Sequence, residues 1–280
     1  MFKDILVPLT GTAGDDDAIQ VALALASRMN AHVAFLEMVN LPMLTAGPWG
    51  LPADENLVDI YRELRDRGAR NAADLKARLA RESVSTEIRL VESLYHEPHR
   101  VAAHVAHYAD IAVLSAATGT AGDAEITHAY VGSLLVDSGR PLIAVPPGCK
   151  ATMLPQRIVA AWKPTSEAAR AFHDALPFFL GADMVDILVI DPVTGEREHG
   201  DQPGADIARH LTRHGVRVNV VVAPAGADSV SSAINRHAAA RGADMIVAGG
   251  YGHSRFREWA LGGATRELLE SAKLPILFSH

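Results

Sequence analysis

The residues best suited to bind a ligand form a glycine-rich stretch near the C-terminus of the 280-residue chain. Gly249 and Gly252 are three residues apart, Gly262 follows after nine further residues, and Gly263 is next to it. Glycines let the backbone come close to a ligand because no Cβ intervenes. The N–H groups at a helix start attract phosphate, and a Thr hydroxyl adds a donor. This stretch, with Thr265 in the helix that follows, predicts a phosphate cradle. The alternative is that the glycines only make tight turns and close helix–sheet contacts.

Strands and helices alternate along the chain, which places the glycine stretch beside a parallel sheet. Short apolar runs without strict alternation indicate strands that are covered on both faces. Strand–helix alternation with short connections is typical of βαβ units, and the ligands of such doubly wound sheets lie beyond the carboxyl ends of the strands. The ten predicted strands are 5–9, 33–39, 86–91, 111–115, 142–145, 158–162, 185–190, 216–222, 245–249 and 275–278.

The sequence also carries an internal repeat. Aligning Asp110 with Asp244 matches the following segments without a gap, at an offset of 134 residues. The opening strands match at an offset of 153, so the first copy has 19 extra residues. We expect much of this excess in the Pro- and Gly-rich segment 41–54. Pro and Gly between the copies mark a linker. The repeat predicts two domains of similar architecture, 1–147 and 156–280, joined by a linker at 148–155.

The glycine spacing resembles that of the universal stress protein family, whose ATP-binding members share Gly, two residues, Gly, nine residues, Gly and then Ser or Thr. Gly249, Gly252 and Gly262 match it, and segments 2–8 and 274–277 also look like that family. The chain resembles a tandem of two family domains along essentially its whole length. The resemblance implies that each domain is a doubly wound, five-stranded parallel sheet with helices on both faces. Such a fold is Rossmann-like, of the adenine nucleotide alpha hydrolase type.

The resemblance further implies a stress-response role as a module that binds an adenine nucleotide, ATP, with or without Mg²⁺. Little or no turnover is expected, and slow ATP hydrolysis stays open. Family members pair through their last strands, so we expect 142–145 to pair with 275–278 within the chain, with a homodimer as a further expectation. We expect the base to lie near Ala161, Trp162 and Ile190. The other predicted nucleotide-binding residues are Lys163, Gly249, Tyr251, Gly252, Gly262, Gly263, Ala264 and Thr265.

Two features depart from the family pattern. Gly263 stands where the family has Ser or Thr, so one hydroxyl donor is missing. Lys163 in the second copy and Thr10 in the first stand where the family commonly has an Asp that faces the nucleoside. A cation in place of an acceptor weakens ribose or base recognition and favours phosphate or another anion. The alternative function is a stress-response scaffold or protein-interaction module that binds no nucleotide.

The first copy lacks the glycine stretch. The gapless alignment places Ser115, Thr118, His128 and Ala129 opposite the four glycines, and a Cβ at each position hinders a close backbone approach. We therefore expect a first domain whose nucleotide site is degenerate and which acts as a non-binding partner. The alternative is a different, apolar ligand beneath segment 41–52, with Trp49 in a lid.

Composition and the remaining motifs exclude several other functions. The net charge is −7 and no basic tract is present, which argues against nucleic acid as a partner. No segment approaches the roughly 20 apolar residues of a membrane helix. The single Cys fits a reducing compartment, so we expect a cytoplasmic location. Walker, Gly-x-Gly-x-x-Gly and nucleophile-elbow motifs are absent, and we expect no catalytic residues. His104 and His107, with Glu97 or another His, form a candidate zinc site, the alternative being a solvated helix face.

Overall fold

A computed structural model describes the chain at residues 1–42, 55–116, 120–149, 154–193, 201–250 and 263–280. Strands and helices alternate through these residues, and every predicted strand is present with its ends shifted by at most two residues. No helix in the described part of the chain combines the length and apolarity needed to cross a bilayer.

The elements of the two halves follow the same order, apart from one short extra helix, α6. The first half contains β1 (Asp4–Pro8), α1 (Asp15–Met29), β2 (His32–Asn40), α2 (Glu55–Leu79), β3 (Ser85–Ser93), α3 (Pro98–Ala106), β4 (Ile111–Ser115), α4 (Ala121–Asp137) and β5 (Leu142–Val145). The second half contains β6 (Arg157–Ala161), α5 (Ser166–Asp174), α6 (Leu176–Phe179), β7 (Met184–Ile190), α7 (Ala205–Arg213), β8 (Val218–Ala223), α8 (Val230–Arg241), β9 (Met245–Gly249), α9 (Gly263–Ser271) and β10 (Ile276–Ser279).

The strands form one sheet in the order β3-β2-β1-β4-β5-β10-β9-β6-β7-β8. Within each half the neighbouring strands are parallel. The two halves meet at β5 and β10, which pair antiparallel with Leu277 opposite Ile143. In each half the chain leaves the first strand in both directions, so the connections reverse between β1 and β4 and again between β6 and β9. Doubly wound sheets place their ligands at such reversal points.

The core lies on both faces of this sheet. One apolar cluster packs α1, α5 and α6 on the sheet, and it contains the fully buried rings of Phe172, Phe178 and Phe179. The other cluster packs α4, α8 and α9 on the opposite face, with Leu134 and Leu135 of α4 buried. Strands covered on both faces explain the continuous apolar runs of the sequence.

A hydrogen bond that recurs in both halves displays the repeat in three dimensions. Asp110 Oδ2 accepts the backbone N–H groups of Lys3 and Asp4, at 2.5 and 3.1 Å. Asp244 Oδ2 accepts those of Gln156 and Arg157, at 2.8 and 2.9 Å. The donors are 153 residues apart and the acceptors 134 apart, as in the sequence alignment. Each carboxylate thus satisfies the start of the first strand in its half.

The extra length of the first half lies mainly in a helix, and the expectation that segment 41–54 holds much of it is wrong. Helix α2 has 25 residues, whereas its counterpart α7 has 9. The connections that precede them, 41–54 and 191–204, are equally long. Pro and Gly in a connection signal irregular backbone, but they do not signal an insertion.

A half-buried histidine lies where the two halves meet. His128 of α4 is 3.6 Å from Glu270 of α9, measured from Nε2 to Oε1, and its side chain is 15% exposed. Among the described residues, this Nε2 is the one buried side-chain nitrogen or oxygen without a hydrogen bond. Burial lowers the pKa of His128 despite the attraction of Glu270. The imidazole is therefore held in its neutral form.

We expect His128 to make the protein less stable in mild acid. Its folded-state pKa lies below the ordinary value of about 6.5. Its contribution to stability is therefore complete above about pH 6.5 and is lost as the pH falls towards the folded-state pKa. In urea unfolding between pH 7.5 and 5.5, His128→Gln should lose less free energy of unfolding than the wild type. His210→Gln, at an exposed position of α7, is the control. A wild-type-to-variant difference that is constant with pH would contradict this account.

Candidate functional site

The predicted site residues of the second half gather at the carboxyl ends of β6, β7 and β9. Ala161 ends β6, Trp162 and Lys163 follow it, Ile190 ends β7 and Gly249 ends β9. Because β6 lies between β7 and β9 in the sheet, these residues share one edge at a reversal of the chain. Tyr251, Gly252 and Gly262 lie outside the described residues.

The three residues predicted near the base lie on two different faces of the sheet. Ala161 and Ile190 are half-buried against the cluster of α4, α8 and α9. Trp162 instead packs on the cluster of α1 and α5, with its ring centroid 4.9 Å from that of Phe172 in an edge-on arrangement. A ligand on the α9 side would thus meet Ala161 and Ile190, whereas Trp162 forms a wall of the core behind them.

Lys163 is a free cation at this edge. Its side chain is exposed, and no described residue forms a hydrogen bond or ion pair with its ammonium group. In the first half the same place is taken by Thr10, whose hydroxyl donates to Asp15 at 2.7 Å. An unpaired ammonium at the end of a strand attracts anions.

The glycines at the end of β9 have a packing role. A Cβ on Gly249 would lie 2.7 Å from the backbone nitrogen of Ala168 and 2.8 Å from the carbonyl carbon of Glu167. A Cβ on Gly250 would lie 3.1 Å from Leu135 Cδ1, in the other half. Neither glycine has a positive φ. Gly249 is thus needed where the start of α5 approaches the strand, which is the alternative that the sequence left open.

At the equivalent helix–strand contact of the first half, the helix start lacks a side chain and the strand end carries one. There Ser115 stands at the end of β4, and Gly14, just before α1, faces it. A Cβ on Gly14 would lie 2.6 Å from Ser115 Cβ. One side of this contact must lack a side chain, either the strand end or the helix start. The exchange of Ser115 for Gly249 between the copies therefore follows from packing.

The first turn of α9 is open to solvent. Gly263 and Ala264 are exposed, and a Cβ on Gly263 would meet no atom within 4 Å. The Ala264 carbonyl accepts the Ser231 hydroxyl at 3.0 Å, which holds the turn on α8. Thr265 is 5% exposed, so its side chain packs inward. The accessible face of this turn is thus made of backbone, as anion binding at a helix start requires.

The corresponding turn of the first half is filled by an aromatic ring. Tyr130 of α4 stands 134 residues before Ala264, and it is 5% exposed. Two carboxyls, Asp15 and Glu37, lie at the same edge, where the second half has Ala168 and Val189. The sequence alone did not indicate this group, because a helix start sufficiently explains the acidic run that begins at Asp15.

The candidate zinc site does not assemble. Both ring nitrogens of His107 lie 3.0 Å from backbone carbonyl oxygens, those of His104 and Asp137. The described ranges contain no group of three or more His, Cys, Asp or Glu side chains placed for one metal ion. The His104–His107 pair therefore forms part of the helix surface.

Comparison with solved structures places the whole chain in a known class of fold. A universal stress protein from Archaeoglobus fulgidus DSM 4304 is 13% identical, with 99% of this chain and 95% of that chain covered and a TM-score of 0.73. A functionally unknown protein from Pseudomonas aeruginosa PAO1 is also 13% identical, with 99% and 92% covered and a TM-score of 0.57. No curated protein sequence matches the chain. The fold and its edge define a Rossmann-like α/β protein in two repeated halves.

A family model narrows this class. Residues 156–280 match the model described as the universal stress protein family. The second half of the chain therefore belongs to the universal stress protein family. This is the half that carries the glycine stretch, the free Lys163 and the open turn of α9.

The two kinds of glycine in this edge should respond differently to the same substitution. Gly249→Ala should lower the free energy of unfolding by about 1–3 kcal/mol, because the added methyl overlaps the backbone of α5. Gly263→Ala is the matched control. It should leave stability within about 1 kcal/mol of the wild type, since the site has room and Ala favours a helix. Chemical denaturation of both variants measures this, and equal losses would refute the packing role of Gly249.

Proposed function

We propose that the second half binds an adenine nucleotide, ATP, at the edge formed by β6, β7 and β9, in the stress-response role of its family. The observation that carries the proposal is the open first turn of α9 at a reversal point of the sheet. There Gly263 and Ala264 present backbone to solvent. The phosphates would lie on this turn, and the base would lie towards Ala161 and Ile190.

Charge at this edge supports an anionic ligand. The positive end of the α9 dipole points to the turn. Lys163 adds an exposed ammonium just beyond the end of β6, which neighbours β9 in the sheet. Because this Lys replaces an acceptor, we expect the phosphates to contribute more to affinity than the ribose or the base does.

We propose binding with little or no turnover. The described carboxylates at this edge are held by other contacts. Both oxygens of Asp191 lie 3.2 Å from the N–H of Ala225, which donates to them. Burial would raise the pKa of Glu167, but hydrogen bonds from its own backbone N–H and from Thr165 and Ser166 outweigh burial and hold it below the ordinary value. A carboxylate stabilised in this way is a poor general base at neutral pH.

Filling the open turn should weaken nucleotide binding. Ala264→Tyr introduces the residue that occupies the same place in the first half, and its ring should cover the backbone N–H groups. Calorimetric titration should show that ATP binds the wild type and that affinity falls at least ten-fold, about 1.4 kcal/mol, in the variant. Ala239→Tyr, at an exposed position of α8, is the control and should bind as the wild type does. Equal ATP affinity in Ala264→Tyr and the wild type would show that the phosphates do not bind at this turn.

The second candidate is a scaffold that binds no nucleotide. Lys163 favours it, since this cation stands where ATP-binding relatives are expected to hold an Asp. A thermal-shift screen of ATP, ADP, AMP and inorganic phosphate separates the two functions. A rise in melting temperature with ATP supports nucleotide binding, and no response to any of them, with protein partners that co-purify, supports the scaffold.

A further inference from the structure

Two histidines that the proposed nucleotide site does not use stand one turn apart on α7. We name His210 and His214 the histidine pair of α7. Both residues are exposed, and their positions differ by four, so they lie on the same face of the helix. Their ring centroids are 4.8 Å apart, and the ring planes are inclined at 68°. Two imidazoles at this spacing on a helix can ligate one metal ion together, as the His-x-x-x-His pairs of zinc enzymes do.

The end of α7 fixes the backbone that carries the histidine pair. The His214 N–H donates to the Leu211 carbonyl at 3.0 Å. Gly215, with a φ of +84°, then turns the chain back, so that the Val216 N–H also reaches the Leu211 carbonyl, at 3.1 Å. Leu211 and Val216 are both buried in the cluster of α1 and α5. Because hydrogen bonds and apolar packing hold this helix end, the two imidazoles keep their spacing before any ion binds.

The ring nitrogens of the histidine pair are accessible to a ligand. No described residue forms a hydrogen bond or an ion pair with the ring of His210 or His214. The two histidines of α3 differ, because both ring nitrogens of His107 are engaged with backbone carbonyl oxygens. Their rings are also farther apart, with 5.6 Å between the centroids of His104 and His107. The same residue type is therefore occupied on α3 and open on α7.

The charges around the histidine pair admit a cation. The pair occupies the C-terminal turn of α7, where the helix dipole presents its negative end. Asp206 lies one turn before His210 and forms an ion pair with Arg209, so these two charges offset each other. Arg213 is the other cation of α7, and its side chain is exposed. Water and salt screen a charge in such a position, so Arg213 weakens the binding of a cation without preventing it.

We propose that the histidine pair of α7 is a site for a divalent late transition-metal ion, with Cu²⁺ the ion that binds most tightly. Imidazole suits Cu²⁺, Ni²⁺ and Zn²⁺, among which Cu²⁺ has the highest affinity, whereas Mg²⁺ prefers oxygen ligands. The chain supplies two ligands and water the others, since the described residues hold no group of three ligating side chains. Because α7 runs from the carboxyl end of β7 to the amino end of β8, this site lies at the opposite edge of the sheet from the proposed nucleotide site.

Calorimetric titration with copper(II) chloride, at neutral pH in a buffer that does not coordinate metals, tests the site. The tightest binding event of the wild type should take a single Cu²⁺ per chain. His210→Gln and His214→Gln each remove one imidazole, and each should weaken this event at least ten-fold. Electron paramagnetic resonance of the bound Cu²⁺ should show coupling to two imidazole nitrogens in the wild type, and either variant should lose this signal. Circular dichroism establishes that both variants fold.

Controls separate this proposal from general attraction to an acidic protein and from the nucleotide site. His104→Gln removes a histidine of α3, and it should bind Cu²⁺ as the wild type does. An excess of Mg²⁺ should leave the Cu²⁺ affinity unchanged, although the net charge of −7 attracts both ions. Ala264→Tyr should also bind Cu²⁺ unchanged, whatever its effect on ATP. The proposal fails if the wild type binds no Cu²⁺ or binds it no better than the two Gln variants of α7 do. It also fails if His104→Gln weakens binding as much as His210→Gln does, or if Mg²⁺ displaces Cu²⁺.

Discussion

The antiparallel pairing of β5 with β10 is the contact on which the organisation of the molecule depends. It turns two five-stranded sheets into a single sheet of ten strands. It also buries the last strand of each half, so that Leu142–Val145 and Ile276–Ser279 are covered throughout. Because all other strand pairs among the described residues are parallel, the strand direction in this sheet reverses at the β5–β10 pair. The two carboxyl edges therefore point to opposite ends of the sheet, and a ligand at one edge cannot reach the other.

Much of the fold could be predicted from the sequence because its signals are local. Strands covered on both faces read as short apolar runs, and those runs located all ten strands. The repeat could be aligned on Asp110 and Asp244 because each of them accepts hydrogen bonds from the backbone at the start of the first strand in its half. The extra residues of α2 were assigned to the connection before it. Pro and Gly mark that connection in the sequence, whereas the sequence of a polar helix gives no comparable sign of its extra length.

The site was less predictable, because its properties depend on contacts between distant segments. The glycine spacing identified the stretch, but it could not separate Gly249, which α5 contacts, from Gly263, which contacts nothing. The direction of Trp162 depends on Phe172. The polar side chains at the edge of the first half, Asp15, Glu37 and Tyr130, come from three elements spread over more than 100 residues. A comparison of the two copies at the positions of Ala168, Val189 and Ala264 is the signal that could have found them.

The covalent link between the halves has a consequence for how their edges differ. In an isologous dimer of identical chains, any substitution appears at both equivalent positions, so both partners acquire it together. A tandem chain is free of this symmetry. One half holds Tyr130 and two carboxyls, and the other holds Ala264 and Lys163, while β5 and β10 keep the same pairing. The two halves are related by pseudo-symmetry, and a substitution at the edge of one half leaves the equivalent position of the other half unchanged.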